Sequence, residues 1–320
     1  MRSFSSRLQY LAFAVLLAAL VLPASAQNRL ALITELSGTV ELARSGSSTF
    51  DATEWGTPLY QGDRIRTASG AQAVLLFSDN NLMTVSGGNT YTVGGAAAAG
   101  GRSVSSSVIS SDTDLTLHRA GAGEVEVLGG LRNSLSREAI AVQSPVNTRI
   151  ASTRPMFSWV SLDGFDSYKI TLQSAGKEIW SAETDETWIA YPENAPALGA
   201  DETYFWRVTG ENLMDSEDSK LVSFQVLSGE DQAAYESALA ELNTQYPDAE
   251  RGDSYLFLLG TLQAKHQVYD GAIASFERIA ELHPGSAGAH QILGSLYAEV
   301  GRVADAIAAT ERAAQLRSDE

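Results

Sequence analysis

From Trp55 to Val93 the chain is cut into short apolar or alternating runs by tight-turn residues, and that pattern restricts it to compact β-structure. Gly62-Asp63 and Ser69-Gly70 are turn pairs, and Asp79-Asn80-Asn81 is a third. Asn and Asp tolerate left-handed backbone and bond their own main chain, which suits them to such turns. Arg64-Ile65-Arg66-Thr67 alternates polar with apolar, as a half-buried strand does. Ala73-Val74-Leu75-Leu76-Phe77 is apolar throughout and short enough for a strand covered on both faces, and Leu82-Met83-Thr84-Val85 follows it. Upstream, Val40 and Leu42 oppose Thr39, Glu41 and Ala43, and Gly38 marks a turn or bulge, so Leu30 to Arg44 reads as the first hairpin of this unit.

Trp55, Leu59, Gly62-Asp63, Ile65-Arg66-Thr67, the Ala73–Phe77 run and the Asp79 turn together resemble the FecR-type periplasmic domain. That family usually has Asp-Gly-Ser at the last turn, where this chain has Asp79-Asn80-Asn81. The resemblance spans Leu30 to Arg132 and implies a module that binds or displays. In the family's best-known branch such domains relay transporter signals to a sigma factor. That branch carries a cytoplasmic segment and a retained membrane helix, and neither is read here.

Arg2 and Arg7 precede an apolar run from Leu8 to Leu22, and Ala24-Ser25-Ala26 gives a small-residue cleavage pattern before Gln27. Residues 1–26 therefore read as a secretory signal peptide, with an uncleaved anchor as the alternative. The apolar run falls short of the roughly 20 residues of a membrane span. No Cys follows it to carry a lipid, and no later stretch is long and apolar enough to span. The expectation is a periplasmic protein of a Gram-negative cell, with no integral span after cleavage. The chain has no Cys, so its units are held by their cores alone, and a thiol nucleophile or thiolate metal site is excluded. A formal net charge of −17 disfavours nucleic acid and anionic lipid as partners. A basic partner or a divalent cation fits that charge, as does plain solubility.

Residues 94–101 contain only Gly and Ala, and Ser103 to Ser111 is Ser-rich. The span 94–112 reads as a flexible insert, or as the lead into further strands at Leu115–His118 and Glu124–Leu128. Composition changes at Ser144-Pro145. Strand-like runs then recur at Met156–Trp159, Tyr168–Leu172, Glu178–Trp180, Thr187–Ile189 and Tyr204–Val208, separated by Gly, Asp and Pro turns, which is the text of a β-sandwich. Leu198 stands six residues before Tyr204, with Gly199 and Asp201 between. That spacing resembles a tyrosine corner, in which the phenol bonds upstream backbone. With Trp159 and Tyr168 as core aromatics, Pro145 to Val226 resembles a fibronectin type III-like domain. Trp180 and Trp188 are the candidate ligand platforms for a sugar or peptide; packing in the core is the alternative.

From Asp231 the period becomes helical, with Tyr235, Ala238, Leu239 and Leu242 on one face and an end at Tyr246-Pro247. A self-similar pair follows. Leu259-Gly260 and Leu293-Gly294, Ala272 and Ala306, Ile273 and Ile307, Glu277-Arg278 and Glu311-Arg312, and Leu282 and Leu316 are each offset by 34 residues. Leu259, Gly260, Ala272, Phe276 and Pro284 in the first unit, with Leu293, Gly294, Tyr297, Ala306 and Ala313 in the second, resemble the tetratricopeptide (TPR) motif. The chain departs from it at Gln263 and Thr310. Small Gly260 and Ala272 let paired helices approach, and Phe276 and Leu282 are expected to fill the gaps. The helix from Gln232 to Gln245 is expected to supply a missing layer. The end of the array is expected to expose an apolar face that docks on another copy, on a partner or on the sandwich.

No catalytic constellation is read. His283 and His290 straddle the Pro284 turn, which is not metal-pair spacing, and His118 and His266 stand apart from them. Glu211, Asp215, Glu217 and Asp218 make an acidic loop without the ligand spacing of a calcium loop. Gly121-Ala122-Gly123 opens a strand, so it is no dinucleotide motif, and no Gly-x-Ser-x-Gly elbow or phosphate loop occurs. No cofactor is expected. The sequence thus describes three separately folded units: an all-β FecR-like domain over 27–140, a fibronectin type III/Ig-like β-sandwich over 141–228, and all-α TPR-like helical hairpins over 229–320. The function expected of them is a non-catalytic periplasmic adaptor or scaffold, in envelope assembly or signal sensing, that contacts a protein partner or forms a homo-oligomer through the repeats. A cell-wall glycan or peptidoglycan binder is the alternative.

Overall fold

The computed structural model describes residues 29–78, 81–94, 102–103, 140–161, 163–248 and 251–318. The expected signal segment over 1–26, the Asp79-Asn80 part of the third turn, most of the 94–112 span, and the strands expected at Leu115–His118 and Glu124–Leu128 lie outside the described residues.

Among the described residues nine strands come first: β1 (Ala31–Ser37), β2 (Val40–Ala43), β3 (Asp51–Ala52), β4 (Pro58–Leu59), β5 (Arg64–Thr67), β6 (Gln72–Phe77), β7 (Asn81–Ser86), β8 (Thr90–Thr92) and β9 (Arg102–Ser103). They form two antiparallel sheets, ordered β4-β1-β6-β7-β9 and β3-β2-β5-β8. The expected first hairpin is absent, because β1 and β2 belong to different sheets and pair with β6 and β5 instead. The chain crosses between sheets at Gly38, whose φ of +73° suits glycine. A Cβ there would also meet the Ala71 Cβ at 3.0 Å. Alternation reports which face of a strand is buried, not which strand lies beside it.

Side chains of one parity fill the space between the two sheets: Ala31 and Ile33, Ala73 and Leu75, Met83 and Val85, against Val40, Leu42 and Ile65. Those of the other parity, Leu32, Val74, Leu76 and Leu82, face outward into a second cluster built mainly from helices. This double burial is the physical reason β6 is apolar at both parities.

Nine more strands follow: β10 (Val142–Ser144), β11 (Thr148–Ile150), β12 (Met156–Trp159), β13 (Ser167–Ser174), β14 (Lys177–Thr184), β15 (Trp188–Ala190), β16 (Thr203–Glu211), β17 (Ser216–Asp218) and β18 (Val222–Val226). One sheet runs β10-β12-β15 and the other β11-β18-β16-β13-β14, with β17 beside β16. Phe157 and Trp159 of the first sheet meet Tyr168, Ile170, Leu172, Tyr204, Trp206 and Phe224 of the second in one buried cluster. The pair is a β-sandwich. The Tyr204 phenol lies in the expected corner: the Gly199 N–H donates to its oxygen at 2.7 Å, and the phenol lies 2.8 Å from a Glu202 carboxylate oxygen. Burial, and then the Glu202 carboxylate, push its pKa up to about 12.

Five helices complete the described chain: α1 (Gly229–Gln245), α2 (Asp253–Lys265), α3 (Tyr269–Leu282), α4 (Ala287–Glu299) and α5 (Val303–Ser318). Ser228 caps α1 and Ser286 caps α4, each accepting from the backbone N–H three residues on. α2 packs on α3, and α4 on α5. The helix starts repeat at an interval of 34 residues, Asp253 to Ala287 and Tyr269 to Val303. Gly260 lies under Phe276, where a Cβ would stand 2.7 Å from the ring, and Gly294 lies 34 residues on against Thr310, with a corresponding 2.6 Å.

Two expectations about this region are corrected. Leu282 does not fill a gap: it is 44% exposed, at the end of α3. The outward residues of α5 are Ala304, Ala308, Glu311, Arg312, Ala314, Gln315, Arg317 and Ser318, so this helix presents small and polar side chains in place of a large apolar face. Separate folding is corrected as well, because the cluster holding Leu32, Trp55, Val74, Leu76 and Leu82 also holds Phe257, Leu258, Phe276 and Ile292 of the helices. The first sheets and the helices share a core.

Candidate functional site

The shared core is organised at Trp55, which is 2% exposed. Its indole N–H donates to the Thr34 carbonyl at 2.8 Å, and its own carbonyl accepts from Ser286 Oγ at 2.8 Å. Its ring meets Phe257 edge-on and lies nearly parallel to His283. Register slips between Ile33 and Glu35, making a bulge at Thr34. The Thr34 hydroxyl lies 3.0 Å from the hydroxyl of Ser254 in α2. Asp253 in the first turn of α2 lies 2.6 Å from His283 Nε2. Two helix N-termini, of α2 and α4, are thus bonded to the β unit through polar groups set in an apolar cluster.

Beside Trp55 the junction opens into a cleft of about 460 Å³, lined by Arg44, Glu54, Gly56, Thr57, Pro58 and Tyr60 from the β unit and by Ala287, Gly288, Gln291 and Arg317 from the helices. The volume falls within the ~300–1,000 Å³ of ordinary binding pockets. Gly56, at φ +78°, lets the two walls approach: a Cβ there would lie 3.4 Å from Ser286 Oγ and 3.5 Å from the Gly288 Cα. The buried Asp63 carboxylate holds Arg44 at 2.9 Å while also accepting from the backbone N–H groups of Ser45 and Tyr60. The Arg44 guanidinium stands over the Tyr60 ring at 5.7 Å. Arg317 donates to Gln291 Oε1, a neutral partner, so its charge stays uncompensated by that contact. Glu54 leans against the backbone at Gly285.

The sandwich meets the helices through a polar seam. Ser144 Oγ donates to Asp270 at 2.6 Å, Asn147 Nδ2 to the Val300 carbonyl at 3.1 Å, and the Arg149 N–H to the Gln267 carbonyl at 2.8 Å. Arg149 also pairs with Asp231, whose carboxyl this guanidinium holds below its usual range. Burial pushes Asp270 up to about 6, against the opposing effects of the Ser144 bond and the nearby Arg302. Burial lowers His266, whose ring packs on Tyr235. A second cavity of about 260 Å³ opens on this seam between Thr148, Phe224 and Tyr269.

The residues of the repeat motif are brought together. Gly260, Ala272, Phe276, Leu293, Gly294, Tyr297, Ala306 and Ala313 are buried, Leu259 is half-buried, and Pro284 is exposed in the α3–α4 turn. They hold the helices against one another and present few side-chain atoms outward. Trp180 and Trp188 are not brought together. Trp180 is half-buried, stacked on Phe157 at 5.8 Å and edge-on to Tyr191 at 5.2 Å. Trp188 remains 48% exposed on the outer face of the small sheet, paired in register with Ser158 and near exposed Met156. In the acidic loop, Asp218 accepts from Thr209 Oγ1 and Arg207, and among the described residues no group of three metal-capable side chains forms. Also among the described residues, no helix is long and apolar enough to cross a membrane. Sequence reasoning missed the Arg44–Arg317 cleft. Its two walls lie more than two hundred residues apart, and no local pattern links them.

No family model matches the chain, and no curated protein matches it. Solved structures do. The chain is similar to a cell surface anchoring domain at 22% identity, over 20% of this chain and 84% of that one, with a TM-score of 0.19. It is similar to the FN1–FN3 domains of chicken CNTN1 at 10% identity, over 63% and 55%, with a TM-score of 0.24. Fibronectin(III)-like modules of Clostridium thermocellum CbhA match at 9% identity, over 64% and 80%, with a TM-score of 0.21. These neighbours include fibronectin type III-like domains. At such TM-scores the likeness carries no argument, and the sandwich stands on its own strand order and core.

Proposed function

We propose that this chain is a non-catalytic periplasmic adaptor of a Gram-negative cell, exported by its N-terminal segment and acting through protein contacts in envelope assembly or signal sensing. In this reading the first sheets are a FecR-like module, the sandwich is a fibronectin type III-like spacer, and the helices are a short tetratricopeptide-like array. The observation that carries it is the 34-residue repetition in three dimensions: Gly260 under Phe276 and Gly294 against Thr310 set two helical pairs in the same way. Repeated helical pairs present extended surfaces suited to partners. Leu282, exposed at the end of α3, is the large apolar side chain such a partner would cover.

The test is a photoreactive amino acid placed at Leu282 and irradiated in the cell. The reading expects one dominant protein adduct, lost when Leu282 and the neighbouring Glu281 are both replaced by Lys. Absence of any adduct in cells that make the protein at normal levels contradicts it. A second reading, binding of cell-wall glycan, is favoured by Trp188 alone. It requires that Trp188→Ala abolish retention on purified cell-wall material, and unchanged retention removes it.

A further inference from the structure

The sandwich runs into α1 through Leu227 and Ser228, which lie between the end of β18 and Gly229. Leu227 is buried in the helical cluster and its N–H donates to the Ile150 carbonyl at 3.0 Å, while Ser228 caps α1. The Arg149–Asp231 pair lies beside this joint. Farther along the seam the contact is made by hydrogen bonds. Ser144 Oγ donates to Asp270, Asn147 Nδ2 to the Val300 carbonyl, Thr148 Oγ1 to the Gln267 carbonyl at 3.2 Å, and the Tyr269 N–H to Thr148 Oγ1 at 2.8 Å. A polar contact between two units of one chain, with a short linker at one side, is the arrangement in which one unit can pivot on the other.

Asp270 is a carboxylate set into this contact, in the first turn of α3. Burial raises it to about 6, outweighing the Ser144 bond and Arg302, which both favour the charged form. Arg302 is engaged elsewhere: its Nε bonds Asp305 at 2.7 Å, and its guanidinium lies 4.5 Å from the centre of the Tyr297 ring. Burial and then Glu299 push the neighbouring Tyr269 phenol up, so it stays neutral near pH 7. Beside the joint, Arg149 holds Asp231 below the usual carboxylate range, so that pair stays charged. Burial and then Lys265 lower His266, an effect that Asp231 opposes and Arg149 reinforces. We propose that the Ser144–Asp270 contact is a proton-controlled catch: a protonated Asp270 holds the sandwich against the helices, and an ionised one lets it swing about Leu227-Ser228. The swing breaks the Asn147 and Thr148 bonds, opens the cavity of about 260 Å³ on the seam, and bares the start of α3 and the end of α4. The docked form binds the Asp270 proton more tightly than the swung form, in which the carboxyl returns to water and to roughly 4. Docking is therefore favoured in acid and weakens as pH rises from about 4 to about 6, levelling off above. His266 acts in the opposite sense wherever swinging relieves its burial, so the two groups are separated by replacing each.

The chain has no Cys, so single-molecule fluorescence energy transfer can be read between dyes at Lys177→Cys in the sandwich and Ala308→Cys on α5, both exposed positions. In the full chain carrying His266→Gln, the ratio of swung to docked molecules should rise about tenfold from about pH 5 to about pH 7.5. Adding Asp270→Asn, which keeps the size of the side chain and an acceptor for Ser144, should hold the docked distance at both pH values. A single docked distance at both pH values without Asp270→Asn overturns the proposal, and so does a pH response of equal size with it. Circular dichroism should stay constant over the same range, because the units move without melting. A loss of helix or strand signal in step with the energy transfer would be unfolding and would overturn the proposal as well. In the undyed chain, the side-chain carboxyl carbon resonance lost on Asp270→Asn should titrate near pH 6. A midpoint in the usual carboxylate range would leave the docked form no proton to hold and overturns the catch whatever the dyes show.

Discussion

Asp270 shows what one side chain contributes to the seam between sandwich and helices. It is held by Ser144 at 2.6 Å, and burial raises its pKa from the usual carboxylate range to about 6. An acid whose pKa is higher in the folded state binds its proton more tightly when folded, so its contribution to stability is greatest below the unfolded value. That contribution declines as pH rises from about 4 to about 6 and stays lost above. Asp270→Asn keeps an acceptor for Ser144 and removes the charge. In urea titrations the variant should match wild type near pH 4 and exceed it by about 2 kcal/mol at pH 7. The full shift would give roughly 3 kcal/mol, reduced by the solvent the side chain still meets. Equal stability at both pH values would show that the seam solvates Asp270 freely.

At the scale of elements, the repeated glycines separate two costs. Alanine favours a helix over glycine by about 1 kcal/mol. At Gly260 the new methyl would lie 2.7 Å from the Phe276 ring and 3.2 Å from the Ser275 Cβ, and Phe276 is fully buried against Phe257. At Gly294 the close atom is Thr310 Oγ1, which can rotate away at the loss of its bond to the Ala306 carbonyl. Gly260→Ala should therefore destabilise by about 1–3 kcal/mol, while Gly294→Ala should stay within about 0.5 kcal/mol of wild type. Chemical denaturation of the two variants side by side checks the ranking, and equal losses would contradict it. These elements were largely readable in advance. The alternation in Arg64–Thr67, the run at Ala73–Phe77, the corner at Tyr204 and the offset of Gly260 and Gly294 are local patterns, and local patterns report burial and period. Pairing was not readable. Nothing in Val40–Ala43 says that its neighbour is β5 and not β1, and nothing near Trp188 distinguishes its exposure from the packing of Trp180. Those outcomes depend on which face of which sheet is covered, and the covering residues lie far along the chain.

For the whole molecule, the consequence is a body in which the first sheets cannot keep their outer face without the helices. Leu32, Val74, Leu76 and Leu82 would lie open to water if α2 to α4 were removed, and Trp55 would lose Phe257, His283 and Ser286 together. A partner covering the helices would in this way act on the β unit through Trp55, with the sandwich held alongside by polar bonds. The most direct measurement is native-state hydrogen exchange on Trp55→Ala. Deleting a buried Trp removes about 3–5 kcal/mol, so protection should fall by a similar amount in β6 and in α2 at once, while the sandwich strands β13 and β16 change little. If α2 and α4 keep their full protection while β1 and β6 lose theirs, the first sheets and the helices are independent units and the shared body does not exist.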